Sequence, residues 1–204
     1  MPALRHEATL LETPMIKSDT ERLHLASPGL EHEAELFKLH NDPLVRKALF
    51  NDVPQSAEDV RKWLDRFIAA WRKNGFGDWM VYEKTPGGLV FVGRCGLRDY
   101  EDTNNLELAF SLTEYGAGRG LGPEAARFAI THALQNSTKE KIACVIAHGN
   151  VRSERAAKKL GLRYIDDRWY QHRFWQYYEM TREEYCGLQD KQITRRTRMQ
   201  CDTA

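Results

Sequence analysis

The stretch YGAGRGLGPEAARFAITHAL, Tyr115–Leu134, sets four glycines (Gly116, Gly118, Gly120 and Gly122) directly ahead of Pro123 and an alanine-rich helix. Ordering glycine costs more backbone entropy than ordering any other residue, so the cluster needs a reason. A loop that enters a helix exposes N–H groups with no helical partner, at the positive end of the helix dipole. Glycine lets such a backbone adopt positive φ and close on a phosphate. Pro123 suits the start of the helix, where no N–H is required, and Arg119 adds a cation among the glycines. Two readings fit these residues alone: a phosphate-binding loop, or a turn packed tightly on its neighbour. The nucleotide fingerprints fail on particulars. A nucleoside-triphosphate loop needs G-K-[ST] where Pro123-Glu124 follows Gly122, and a dinucleotide loop needs a third glycine where Pro123 stands.

Outward from this loop, the chain alternates strands and helices. Glu21–Ser27 reads as a first strand and Leu30–Asn41 as a helix. Ser56 and Asp59 form a shortened capping box, and Val60, Trp63, Leu64, Phe67, Ile68 and Trp71 follow at helical spacing until Gly75. Strand-like runs cover Asp78–Lys84, Leu89–Leu97, Asn105–Leu112 and Lys141–Ala147, and Pro86-Gly87-Gly88 joins the first two as a hairpin. The glycine loop and its helix, Pro123–Gln135, lie between the last two of these strands, which are therefore expected to be parallel. A helix over Val151–Leu160 and a closing hairpin of Leu162–Asp167 with Arg173–Met180 complete the pattern. The expectation is an α+β sandwich: a mixed, largely antiparallel sheet of about seven strands with helices on both faces. Residues 1–19 read as a leader, 20–185 as one domain, and 186–204 as a polar, basic tail expected to be solvated.

Composition narrows the function classes. A net charge of +1 gives no overall electrostatic reason to expect nucleic acid or a membrane surface as partner. No segment approaches the ~20 apolar residues of a membrane-spanning helix. Cys95, Cys144, Cys186 and Cys201 are scattered, with no C-x-x-C and no cysteine–histidine cluster at metal spacing. Reduced thiols in a cytoplasmic protein without a metal are the expectation. Whether the chain is a monomer or a homodimer stays open.

The segment NLELAFSLTEYGAGRGLGPEAARFAITHAL, with GNVRSERAAKKLGL (Gly149–Leu162) behind it, resembles the acetyl-CoA site of the GNAT N-acetyltransferases. Within that family it resembles the ribosomal-protein N-terminal (Rim-type) branch. The family's [QR]-x-x-G-x-[GA] loop aligns with Ala117, Gly118, Arg119, Gly120, Leu121 and Gly122. Its second motif aligns with Asn150, Ser153, Lys159, Gly161 and Leu162. Ala117 departs from the family's Gln or Arg at a place where contacts are mostly backbone. TERLHL, NGFGDWMVYEK, FVGRCGL and YEMTREEY extend the likeness over roughly residues 20–185.

The resemblance implies that the two parallel strands splay, that a pantetheine arm pairs with backbone around Phe110 and Leu112, and that pyrophosphate rests on the N–H groups of Ala117–Gly122. Asn150 and Ser153 then face the sulfur end, and acetyl-CoA is the cosubstrate. The acceptor is an amine, either a protein N-terminus or a small molecule. A neutral amine must attack the thioester, and amines are mostly protonated at neutral pH, so a general base helps. Glu107, which alternates away from Leu106, Leu108, Phe110 and Leu112, is the candidate; a salt-bridged strand glutamate is the other reading. The family's tyrosine proton donor falls on Ala157, which leaves Ser153 as donor to the thiolate or as a helix cap. The N–H of Leu108 or Ala109 would serve the oxyanion. Phe76 and Trp79 in a turn, and Tyr177 on the last hairpin, are the acceptor-contact candidates, with His148, Tyr170 and His172 considered beside them. A catalytically silent acyl-CoA-binding sensor or scaffold shares every cradle residue.

Overall fold

A computed structural model describes residues 15–101, 103–170 and 173–190. Its frame is one eight-stranded sheet in the order β1-β2-β3-β4-β5-β6-β8-β7. The strands are β1 (Lys17–Asp19), β2 (Leu23–Ala26), β3 (Asp78–Thr85), β4 (Gly88–Asp99), β5 (Asn105–Leu112), β6 (Lys141–Ala147), β7 (Arg163–Tyr170) and β8 (Arg173–Thr181). Every neighbouring pair is antiparallel except β5 and β6. The helices are α1 (Glu33–Asn41), α2 (Pro43–Leu49), α3 (Ala57–Asn74), α4 (Leu121–Gln135) and α5 (Val151–Leu160), with α6 over 182–190. The expected mixed sheet with one parallel pair is present, with an eighth strand, β1, inside the stretch read as a leader.

Alternation along the strands makes two cores. Trp79 and Val81 of β3 join Cys95, Leu97, Leu106 and Leu108 under α4 and α5. Met80 points the other way, into a cluster with Leu36, Leu39, Val60, Leu64 and Phe67 from α1 and α3. The α3 capping box forms as the sequence predicts: Ser56 Oγ accepts from the Asp59 N–H at 3.1 Å, and the Asp59 carboxylate accepts from the Ser56 N–H at 3.1 Å. Gly75 stops the helix in the left-handed region, at φ 72°.

A register shift falls between Val81 and Tyr82, opposite Gly93. Gly93 sits at φ +144°, and a Cβ there would run into the Ser111 carbonyl oxygen. Only glycine allows β4 to bend across β5 at this point.

Two helices fell outside the sequence reading although their signals are present. Asp42 accepts from the Leu44 N–H at 2.9 Å and Pro43 takes the first position of α2. Thr181 and Glu184 exchange backbone-to-side-chain hydrogen bonds of 2.8 and 3.1 Å and start α6, which runs on into the stretch read as a tail. That is the Thr-x-x-Glu capping box, and it seats buried Tyr185 with its hydroxyl 2.7 Å from the Arg127 carbonyl. Lys191, Arg195, Arg196 and Arg198 lie outside the described residues.

Candidate active site

Pairing between β5 and β6 runs only from Asn105↔Lys141 to Glu107↔Ala143. β5 continues to Leu112 and β6 to Ala147, held by β4 and β8 respectively, so a cleft opens between them beyond Glu107. The phase of β5 is fixed by the Thr113 N–H donating to the Val92 carbonyl and the Tyr100 N–H to the Asn105 carbonyl. Odd-numbered residues of β5 thus bond β4, and the backbone groups of Leu108, Phe110 and Leu112 face the cleft. Leu108, not Ala109, turns its N–H into it.

At the open end of the cleft lies the glycine loop. Gly118 and Gly120 take positive φ (78° and 79°), and Gly120 caps α4 without any side-chain bond. The Ala117 N–H is consumed by the Thr113 carbonyl at 3.0 Å. The N–H groups of Gly118, Arg119, Gly120, Leu121 and Gly122 have no acceptor among the described residues. The candidate cradle is therefore one residue shorter than the motif suggests. Phe110 and Leu112 form its floor: a Cβ on Gly122 would stand 3.3 Å from the Phe110 ring and 3.4 Å from Leu112. Five donors at a helix N-terminus over an apolar floor fit a pyrophosphate.

The charge around the loop differs from the expectation. Arg119 does not reach over the glycines. It forms two 2.6 Å bonds to Glu83 and stacks 4.8 Å from the Tyr115 ring centroid. Arg119 holds the Glu83 carboxyl below its ordinary range, with the Tyr115 hydroxyl helping. The cation at the loop is instead Arg22, which sequence reasoning missed apart from its place in TERLHL. Its Nη1 donates to the Arg119 carbonyl at 3.1 Å and its Nε to Glu124 at 2.7 Å. Glu124 also accepts from the Thr20 hydroxyl at 2.6 Å. A carboxylate beside an anion site would repel the anion, and Arg22 offsets that charge.

At the far end of β6, Asn150 caps α5: its Oδ1 accepts from the Ser153 N–H at 3.2 Å. The Ser153 hydroxyl has no hydrogen-bond partner among the described residues. Asn150 is the cap, so Ser153 is not needed for one. Ala157 is buried, 1% exposed, with no hydroxyl to offer.

Glu107 stands where the parallel pairing ends, 5% exposed, on the sheet face away from α4. Arg98 binds its carboxylate twice, at 2.9 and 2.8 Å. Two of a carboxylate's roughly four lone-pair positions remain. Beside it lies a pocket of about 290 Å³, lined by Trp63, Arg66 and Phe67 of α3 and by the strand ends at Asp78 and Arg98.

The structure moves the acceptor candidates. Phe76 and Trp79 are 4% and 1% exposed in the core cluster on the α4 face, with Trp79 against Trp71, Phe128 and His132. Of that turn, Gly77 and Asp78 line the pocket, while strand alternation turns Trp79 inward. Tyr177 is on the Glu107 face but fully buried: its hydroxyl donates to Glu179 at 3.0 Å and Arg168 lies 3.2 Å over its ring. Burial, with the Glu179 bond, pushes its hydroxyl up to about 12. Trp63, half-buried, packs against the core between α1 and α3 as its spacing suggests and also lines the pocket. His148 is exposed and 3.4 Å from Asp167. His172 lies outside the described residues. Burial also raises Cys144 to about 12 and Cys95 further, as inert core thiols require. No group of metal-binding side chains occurs among the described residues, and no described helix is long and apolar enough to cross a membrane.

YkkB of Bacillus subtilis (strain 168), an uncharacterized protein, is 27% identical over 148 residues, which are 71% of this chain and 84% of that protein. A spermidine N-acetyltransferase from Vibrio cholerae, solved with CoA and spermine, superposes with a TM-score of 0.67 at 12% identity, covering 82% of this chain and 99% of that one. A ribosomal-protein-S5-alanine acetyltransferase from Vibrio fischeri gives 0.66 at 11% identity, covering 83% and 98%. Both show that the fold is shared. The acetyltransferase (GNAT) domain family matches residues 22–163, well over half of the chain. On that match the chain belongs to the GNAT acetyltransferase domain family.

Proposed function

We propose that the protein transfers the acetyl group of acetyl-CoA to a primary amine by direct attack on the thioester. The observation that carries this is the row of unpartnered N–H groups, Gly118 to Gly122, at the mouth of a cleft edged by outward-turned backbone of Leu108, Phe110 and Leu112. The row would bind the pyrophosphate and the β5 edge would pair with pantetheine. That directs the thioester toward Glu107, where the strands meet.

The Leu108 N–H would bond the thioester oxygen as charge develops. Glu107, held in one orientation by Arg98, would accept the amine proton through a water on its free lone pairs. Ser153, with an unengaged hydroxyl in the first turn of α5, would donate to the departing thiolate. The Rim-type branch remains a proposal resting on the motifs of the sequence. The acceptor would enter from the α3 side, past Trp63 and Phe67. A cytoplasmic location fits the unpaired, buried Cys95 and Cys144.

One observation favours the silent-binder alternative: the Glu107 carboxylate is already engaged by a guanidinium. Calorimetry first tests the shared part. Acetyl-CoA should raise the melting temperature, since it binds the native state. ATP and NAD should do much less, and a larger shift with NAD would remove the cradle. Release of free CoA that depends on added amine then separates transferase from sensor.

A further inference from the structure

The pocket beside Glu107 carries more information about the acceptor than the family does. It lies between α3 and the ends of β3 and β4; its lining acid, Asp78, and the acids next to its lining residues are already matched. Asp78 is bound by Arg94 at 2.6 Å, both side chains being about 95% buried, at 6% and 4% exposed. Glu107 is bound by Arg98. Asp99, at the end of β4, is bound by Lys139 at 3.0 Å. One lining cation is not matched in the same way. Arg66 is exposed, lies 5.2 Å from the Trp63 ring centroid, and makes no ion pair among the described residues. Arg98 stands 37% exposed on the opposite wall, with part of its fork turned to Glu107.

We infer that the acceptor is an amine that also carries a carboxylate, with Arg66 as the residue that selects for it. This deepens the transferase reading and rests on it. A guanidinium fork binds a carboxylate through two charge-assisted bonds and, stacked on Trp63, is already oriented to do so. A polyamine entering the same pocket meets Arg66 and Arg98 and finds each neighbouring carboxylate occupied. Like charges brought together in a cleft of low dielectric discriminate against a ligand as strongly as new contacts favour one. The apolar wall of Trp63, Phe67 and Ala70 takes the acceptor's body. A volume of about 290 Å³ is at the lower end for small-molecule sites. It holds an amino acid, or the first residues of a peptide, and not a multi-ring glycoside.

The two sources of this chemistry, a free amino carboxylate and a peptide N-terminus with an acidic second residue, are separated by matched acceptors. With saturating acetyl-CoA, kcat/KM is measured for 4-aminobutyrate against butylamine, phenylalanine against phenethylamine, Ala-Glu-amide against Ala-Lys-amide, and spermidine alone. The carboxylate member should win at least one pair by about tenfold, the worth of one charge-assisted bond. Arg66→Gln should shrink that preference by about tenfold, and Arg66→Lys, which keeps the charge but loses the fork and the stacking, should keep only part of it. Melting curves confirm that both variants fold. Parity in every pair, best turnover on spermidine, or a preference untouched by Arg66→Gln overturns this inference and leaves the transferase standing. No amine-dependent CoA release from any acceptor sinks both.

Discussion

A carboxylate that serves as a base must be able to take a proton, and Glu107 begins with both oxygens accepting from Arg98. At the edge of the cleft the Arg98 side chain is 37% exposed and the Glu107 side chain 6%, so only a small part of the carboxylate is open to water. Glu107→Gln keeps the shape, loses the charge, and should lower turnover by about 10²-fold or more while acetyl-CoA affinity stays nearly unchanged. Steady-state kinetics against pH should show the variant recovering as the amine approaches its own pKa. A wild-type rate throughout would make the residue a structural partner of Arg98. Asn150 and Ser153 divide two roles that spacing alone left merged. Asn150→Ala should cost about 1 kcal/mol of stability, as loss of an N-cap does. Ser153→Ala should leave the melting temperature alone and slow transfer. An acyl donor with a more acidic thiol should restore most of that rate, since its thiolate leaves without a proton. An equal penalty with both donors would remove Ser153 from the chemistry.

At the level of elements, the loop from Gly118 to Gly122 is held open by contacts made outside it. Arg119 is drawn back onto Glu83, and Arg22 ties the Arg119 carbonyl to Glu124 in the first turn of α4. Gly120→Val puts a β-branched side chain at φ 79°, where it is strained, and shifts the N–H row. Acetyl-CoA dissociation measured by calorimetry should weaken by about tenfold or more, with the fold retained. An unchanged constant would make the loop a simple turn. Elements with a strong local signal were legible. Asn105–Leu112, Lys141–Ala147 and Val151–Leu160 stand at the bounds that alternation, the apolar run and the Asn150–Gly161 punctuation predict. Short elements were harder. α2 and α6 carry an Asp-Pro start and a Thr-x-x-Glu box in stretches with little apolar period. Side-chain partners tens of residues apart in the chain, such as Arg22 with Glu124 or Tyr82 with Glu35, leave no local trace at all. The same limit misplaced Phe76 and Trp79: a turn was visible, but not which sheet face its rings would enter.

For the molecule as a whole, acid should act in two stages. His40 is fully buried between α1, Phe50 and Trp63, and neither ring nitrogen has a partner among the described residues. Burial, reinforced by Arg94, lowers its pKa from 6.5 to about 3. The unfolded chain then binds a proton that the native state refuses, so stability is full above pH 6.5 and declines from there toward 3. Glu83, Glu124, Glu179 and Glu184 are all depressed below 4.5, so their contribution is present above that value and is lost as pH falls further. Urea midpoints between pH 7 and 4 should begin to fall near 6.5, before the carboxylates titrate, and His40→Leu should flatten that first part. An identical slope in the variant would place the early proton elsewhere. The sheet, the cradle and the Glu107 cleft together make one central claim, that acetyl groups pass from acetyl-CoA to an amine held on the α3 side. Mass spectrometry of an amine panel incubated with the protein and acetyl-CoA tests this most directly. The account predicts an N-acetylated product formed in step with free CoA, and lost together with it in Glu107→Gln. Tight acetyl-CoA binding with no acetylated amine from any member of the panel would contradict it.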